Sequence, residues 1–262
     1  MIVRKGFFQR CFVAKFHERR MIMEIDILES ADVMAEKVAL SVVSLIKQNP
    51  GKLVCFAAGD TTLGMLHELV RQQQIGACNL NTMYYVGLDE WVGLGYNDIG
   101  SCVQVLRDNF YIPACIGRER FRMFEGMAND LDKECEAMNE WIALHGGIFL
   151  AVLGIGLNGH IGFNEPYAPD KEGCFTIKLD RTTIDVSEKY FSQKIQVTSG
   201  VTIGWRTLLK SENLYVLASG NHKSHIVKKV FAEEPSVSIP ASLMRKNKML
   251  KVVLDKEAAS EL

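Results

Sequence analysis

From Met23 onward, short apolar runs alternate with longer stretches in which apolar residues recur at helical spacing. Glu24–Leu28 reads as a short strand. Ser30 is placed to cap a helix over about 32–47, where Val33, Met34, Val38, Val42, Leu45 and Ile46 fall near one face. Asn49-Pro50-Gly51 ends that helix, because proline cannot continue it and glycine turns the chain freely. Residues 53–58 form an apolar run of the kind found in strands buried on both faces, and a helix follows over roughly 62–74. The pattern then predicts a strand over 82–88, helices over 103–110 and 131–145, and strands over 148–153, 214–218 and 250–254. A helix over about 223–231 lies between the last two strands. Strands separated by helical segments imply an α/β fold: a Rossmann-like parallel sheet with helices on both faces.

Four polar or glycine-rich clusters each directly follow a predicted strand: Gly59-Asp60-Thr61-Thr62, Asp89-Glu90-Trp91, residues 154–165 and residues 219–223. Ligands in open α/β sheets bind at the carboxyl ends of the strands, so four clusters converging there mark a site. Residues 154–165 hold His160 and Glu165, an imidazole and a carboxylate close enough in sequence to pair and hold a proton-transfer group near neutral pH. The alternative is a structural histidine bonded to a backbone carbonyl. Gly154 and Gly156 let the backbone turn sharply and approach a ligand, which by itself is weak evidence for any one ligand class. Asp89 and Glu90 are open to three readings: a base, a metal ligand, or solvated acids at a strand end. Gly59, Asp60 and Thr61 open a helix whose N–H groups and dipole suit a phosphate, although no Walker lysine follows. Lys223 begins a helix, where a cation fits best if an anion sits nearby; a solvated surface lysine is the plain alternative.

Composition narrows the classes. The chain has 262 residues and a net charge of −1, which gives no electrostatic case for nucleic-acid binding. No apolar run reaches the length of a membrane span. The seven cysteines are scattered and form no CxxC pair, a pattern of reduced, mostly buried thiols in a cytoplasmic protein. His222 and His225 share a spacing that places them on one helix face, yet no third ligand completes a zinc site. Residues 1–22 stand apart as a basic extension, with Arg4, Lys5, Arg10, Lys15, Arg19 and Arg20 against the single acid Glu18. It has no sustained apolar core of a secretory signal. Residues 23–262 read as one domain.

Two segments carry a resemblance. Residues 156–166, Gly-Leu-Asn-Gly-His-Ile-Gly-Phe-Asn-Glu-Pro, resemble the signature of glucosamine-6-phosphate deaminases, and residues 88–94 resemble a second signature of that family. Ile239-Pro240-Ala241-Ser242 and the closing residues 255–259 extend the similarity. The resemblance implies deaminating isomerisation of a hexosamine 6-phosphate to a ketohexose 6-phosphate plus ammonia, with no metal and no redox cofactor. A small sugar phosphate is the implied partner, and a homo-oligomer is compatible with it. By motif position, Asp89 would be the base that moves a proton between C2 and C1, and His160 would assist ring opening. Glu165 would polarise His160, with Asn158 orienting it. Gly59, Thr61 and Lys223 would hold the phosphate.

This chain departs from the family's pattern in three places. Asn158 stands where some members have Asp. Ile184 stands near the position of a phosphate-gripping arginine, with Arg181 close but misaligned. Asp60 puts an acid at the centre of the phosphate loop, where it would cap the helix, pair with Lys223 or Arg181, or meet a sugar hydroxyl or amine. The Asp-Glu-Trp triplet, the Gly100-Ser101-Cys102 segment and the absent arginine lean toward a galactosamine-6-phosphate branch. The alternatives in other classes are a 6-phosphogluconolactonase-like hydrolase, against which Asn164-Glu165-Pro166 argues, and a non-catalytic sugar-phosphate sensor.

Overall fold

The computed structural model describes residues 24–191 and 195–262; the basic extension expected over 1–22 lies outside them. Ten strands and eight α-helices follow one another along the described chain. The strands are β1 (Glu24–Leu28), β2 (Leu53–Phe56), β3 (Tyr84–Gly87), β4 (Asp89–Trp91), β5 (Phe121–Arg122), β6 (Ile148–Gly154), β7 (Cys174–Lys178), β8 (Ser199–Ile203), β9 (Asn213–Ala218) and β10 (Leu250–Asp255). The helices are α1 (Ala31–Gln48), α2 (Asp60–Gln74), α3 (Cys102–Leu106), α4 (Leu131–Leu144), α5 (Arg181–Ser187), α6 (Trp205–Leu208), α7 (Ser224–Ala232) and α8 (Pro240–Leu243).

Seven strands form a wholly parallel sheet in the order β1-β10-β9-β6-β2-β3-β5. Its central members, Leu53–Phe56 and 148–153, are buried at every position, as an apolar strand covered on both faces must be. One face packs against α1, α2 and the segment 103–111, through Met34, Val38, Val42, Ile46, Met65, Leu69 and Phe110. The other packs against α4 and α7, through Met138, Ile142, Val227 and Val230. Each such side chain contributes about 1.5–3 kcal/mol relative to leaving it in water. Ser30 caps α1 by accepting the Val33 N–H, as its position suggested.

The chain runs from β2 outward to β3 in one direction, and from β6 outward to β9 and β10 in the other. The order therefore reverses between β2 and β6, and the loops leaving their carboxyl ends diverge and open a crevice there. This reversal places the Gly59 and Gly154 loops side by side.

Three expectations are corrected. The strand expected over 82–88 is shorter, and Asp89–Trp91 is itself a strand, of a second sheet ordered β4-β8-β7 with antiparallel pairing. Leu88 is the hinge: its N–H still donates to Phe56 in the main sheet, while its carbonyl accepts from Ile203 of β8. The helix expected over 103–110 is α3 followed by a π-helical turn over Arg107–Tyr111. The helix expected from 62 begins at Asp60, because Gly59 serves as its N-cap.

Candidate functional site

A cleft of about 240 Å³ opens at the carboxyl ends of β2, β3, β6 and β9. All four polar clusters reach it: Gly59–Thr62, Asp89 with Trp91, the β6 loop through His160, and Ser219 with His222 and Lys223.

Asp89 sits where the chain passes from the first sheet into the second, and it is buried. Burial pushes its carboxyl up to about 6, against the opposing influence of His160 and of the Cys102 thiol that hydrogen-bonds to it. It is thus ionised at neutral pH while having a substantial proton affinity, the property of a general base. Glu90 points the other way. It is fully buried and accepts the backbone N–H groups of Trp91, Cys102 and Val103 at 2.8–2.9 Å, tying β4 to the start of α3. Of the three readings of the acid pair, solvation fails for both residues. Among the described residues no group of three or more His, Cys, Asp or Glu side chains is arranged to hold a metal ion.

The loop after β6 turns tightly so that His160 projects into the cleft. The Gly156 N–H donates to the His160 carbonyl at 3.0 Å, and Gly159 takes φ +84°, a conformation disfavoured for other residues. Gly156 has a second role: a Cβ there would lie 2.3 Å from the imidazole ring, so only glycine leaves the ring its place. His160 Nδ1 lies 3.0 Å from Thr183 Oγ1 and 3.5 Å from Glu165 Oε2. The same Glu165 oxygen accepts from Asn158 Nδ2 at 2.8 Å, and Asn158 Oδ1 accepts the His160 backbone N–H at 3.1 Å. Burial acts to raise the Glu165 carboxyl, but the hydrogen bonds from His160, Thr183 and Asn158 outweigh it and leave the group lowered. Glu165 is therefore an anion beside the imidazole, and its contact and that of Thr183 fall on Nδ1, which turns Nε2 toward the cleft. Asn164, by contrast, is structural: its side chain bonds Ile161 and Ile203 carbonyls and the Trp205 N–H.

At the other end of the cleft, the Gly59 N–H donates to Thr62 Oγ1 at 3.3 Å, so the cap uses that amide. Thr61 and Asp60 at the first turn of α2 line the cleft. Asp60 neither caps the helix nor meets Lys223 or Arg181 in an ion pair; its carboxylate pairs with Lys189 at 2.6 Å. Arg181 pairs with Asp185 on the exposed side of α5, and Ile184 packs beneath the small sheet. Lys223 Nζ donates to the Ile155 carbonyl at 2.6 Å, and burial, aided by Lys189, pushes it down to about 8. Gly154 and Gly156 line the cleft as expected of a backbone approached by a ligand. Asp255, buried at the end of β10, accepts the Gly220 N–H on both oxygens and fixes the loop that carries Lys223. His222 borders the cleft, whereas His225 lies 3.6 Å from Glu261.

Two side chains of this site were not singled out in the sequence, Thr183 and Lys189, and Cys102 was noted only as part of the Gly100-Ser101-Cys102 segment, not as a neighbour of Asp89. Nothing in the local sequence of Thr183 or Lys189 marks either as a neighbour of His160 or Asp60.

Residues 26–253 match the family described as glucosamine-6-phosphate isomerases/6-phosphogluconolactonase. The chain belongs to this family. Glucosamine-6-phosphate deaminase of Clostridium botulinum (strain Langeland / NCTC 10281 / Type F) is 31% identical over 241 residues, 92% of this chain and 99% of the relative. The enzyme of the same name from Thermoanaerobacter sp. (strain X514) is 31% identical over 239 residues, 91% of this chain and 94% of the relative. Among solved structures, a monomeric glucosamine-6-phosphate deaminase superposes with a TM-score of 0.87 at 28% identity, over 92% of this chain and 100% of that one. A 6-phosphogluconolactonase from Thermotoga maritima shares the fold with a TM-score of 0.72 at 19% identity, over 88% of this chain and 99% of that one. The family members thus span the same Rossmann-like α/β core as the described chain. No helix among the described residues is long and apolar enough to cross a membrane.

Proposed function

We propose that the protein converts a hexosamine 6-phosphate and water to a ketohexose 6-phosphate and ammonia. The observation that supports this most is the placement of a buried carboxylate, Asp89, and an acid-paired imidazole, His160, on one cleft whose far end carries a helix N-terminus and two lysines. The ring form of an aldose amine must first open. His160 Nε2 takes the proton of the C1 hydroxyl and returns it to the ring oxygen as the bond from C1 to that oxygen breaks, and C1 becomes an aldehyde. Asp89 then takes the proton from C2, the carbon that bears the amine, leaving an enolamine. The same carboxyl delivers a proton to C1, so C2 becomes an imine. Water adds at C2, the C–N bond breaks, and ammonia leaves. Atoms and charge balance without an oxidant, and each proton step falls to a residue on the cleft wall. Glu165, Asn158 and Thr183 hold the ring of His160; Lys223, Thr61 and the first amides of α2 face the phosphate.

The names of the relatives favour glucosamine 6-phosphate as substrate, while Trp91 and Cys102, both on the cleft, leave galactosamine 6-phosphate as the other epimer. A continuous ammonia assay on both epimers, beside 6-phosphogluconolactone, tests the proposal. Ammonia and ketose 6-phosphate formed in equal amounts from one epimer support it. Lactone hydrolysis without ammonia release replaces it with the lactonase reading, and tight sugar-phosphate binding with no turnover replaces it with a sensor.

A further inference from the structure

Among the described residues, Lys189 and Lys223 are the lysines on the cleft wall, and none of those lining it is an arginine. Lys189 follows α5, which delivers Thr183 to His160, and its ammonium lies 4.7 Å over the Tyr190 ring. It reaches across 129 residues of chain to Asp60, the first residue of α2. Both partners remain half exposed, at 50% and 60% of their side-chain surface, so the pair is open to exchange by a stronger anion. Asp60, Lys189 and Lys223 all line this cleft, with Lys189 and Asp60 in contact, and the Lys223 ammonium senses both charges, Lys189 against it and Asp60 in its favour.

A phosphate monoester entering there brings about −1.5 to −2 charges at neutral pH. Lys223 alone is a single cation, already donating to the Ile155 carbonyl. Asp60 beside the α2 amides repels the incoming dianion, whereas Lys189 attracts it.

We infer that Lys189 is the second cation of the phosphate subsite, and that Asp60 is its counter-ion before substrate binds, displaced when a phosphate monoester takes Lys189 over. This assigns a specificity residue to the site and rests on the proposed function for its substrate class. The subsite also recognises inorganic phosphate by the same chemistry, so it can be measured without turnover.

The test is calorimetric binding of inorganic phosphate and of glucosamine 6-phosphate to the full chain, beside steady-state kinetics. Lys189→Gln is expected to weaken both ligands by about 10- to 100-fold, the range of a charge-assisted hydrogen bond. KM should rise far more than kcat falls, and Lys189→Arg should restore most of the affinity. Asp60→Asn should tighten phosphorylated ligands about 3- to 10-fold and leave unphosphorylated glucosamine unaffected, the magnitude being that of one exposed charge. Wild-type affinity in Lys189→Gln, with the fold intact by circular dichroism, overturns this inference alone. Unchanged or weaker binding in Asp60→Asn overturns the exchange. Failure of the wild-type protein to bind any phosphate ester overturns both this inference and the proposed function.

Discussion

Asp89→Asn separates the work of Asp89 from its cost. The carboxylate is buried, and its pKa stands at about 6, against an ordinary aspartate near 3.9. The difference is about 2 units, and each unit corresponds to about 1.4 kcal/mol. Because the folded value is the higher one, the folded state holds the proton more tightly than the unfolded chain does. Below about pH 4 both states are protonated and the site costs nothing. Between about pH 4 and 6 the unfolded chain ionises first, and above about 6 the folded protein carries the full penalty, on the order of 3 kcal/mol. Asparagine has nearly the same shape and no charge. Asp89→Asn should therefore raise the melting temperature at pH 7.5 by about 6 °C, taking roughly 2 °C per kcal/mol for a chain of this size. The gain should vanish near pH 4. The same change removes the proposed base, so turnover should fall by about 10²–10⁴-fold with little change in binding. Scanning calorimetry at several pH values, paired with the ammonia assay, reads both effects. A variant that is less stable at pH 7.5, or that turns over within ten-fold of the natural protein, would refute the reasoning.

The pH profile of kcat/KM should be bell-shaped, falling as Asp89 is protonated below about 6 and as Lys223 loses its charge above about 8; a flat profile from pH 5 to 9 counts against both roles. Gly156→Ala would press a methyl group to 2.3 Å from the His160 ring, and a ring displaced by that contact should lose about 10²-fold in turnover with the fold retained. Full activity in this variant would show that the loop gives way. His160→Gln should slow the cyclic hexosamine phosphate more than the reverse reaction from open-chain ketose phosphate and ammonia, measured by ammonia uptake; equal losses in both directions argue against a role in ring opening.

The buried parallel strands were the legible part of the fold. Leu53–Phe56 and 148–153 are uninterrupted apolar runs that stop at glycine or a polar loop, and a strand covered on both faces has no other way to be written. The small antiparallel sheet was not legible. β4 is only three residues, two of them acids that are buried by a turn of the chain at Leu88. β7 has exposed polar positions and β8 contains Gly200, so neither shows the apolar run that marks the main sheet. Within the site, Asp89 and His160 stood out because each follows a strand at the ligand-binding edge. Lys189 did not, since nothing in its local sequence marks the 129-residue reach to Asp60. Asp60 was singled out as an anomaly with three readings left open, and Lys189 was in none of them: only the path of the chain after α5 brings that lysine to it.

The central claim, proton transfer from C2 to C1 coupled to loss of the amine, is tested most directly by NMR of the reaction run in D₂O. The account predicts one equivalent of ammonia per ketohexose 6-phosphate, with deuterium from solvent appearing at C1 of the product and none of this with Asp89→Asn. Ammonia without deuterium at C1 would contradict a solvent-exchanging carboxyl base, and a hexosamine 6-phosphate left unchanged under the same conditions would contradict the account as a whole.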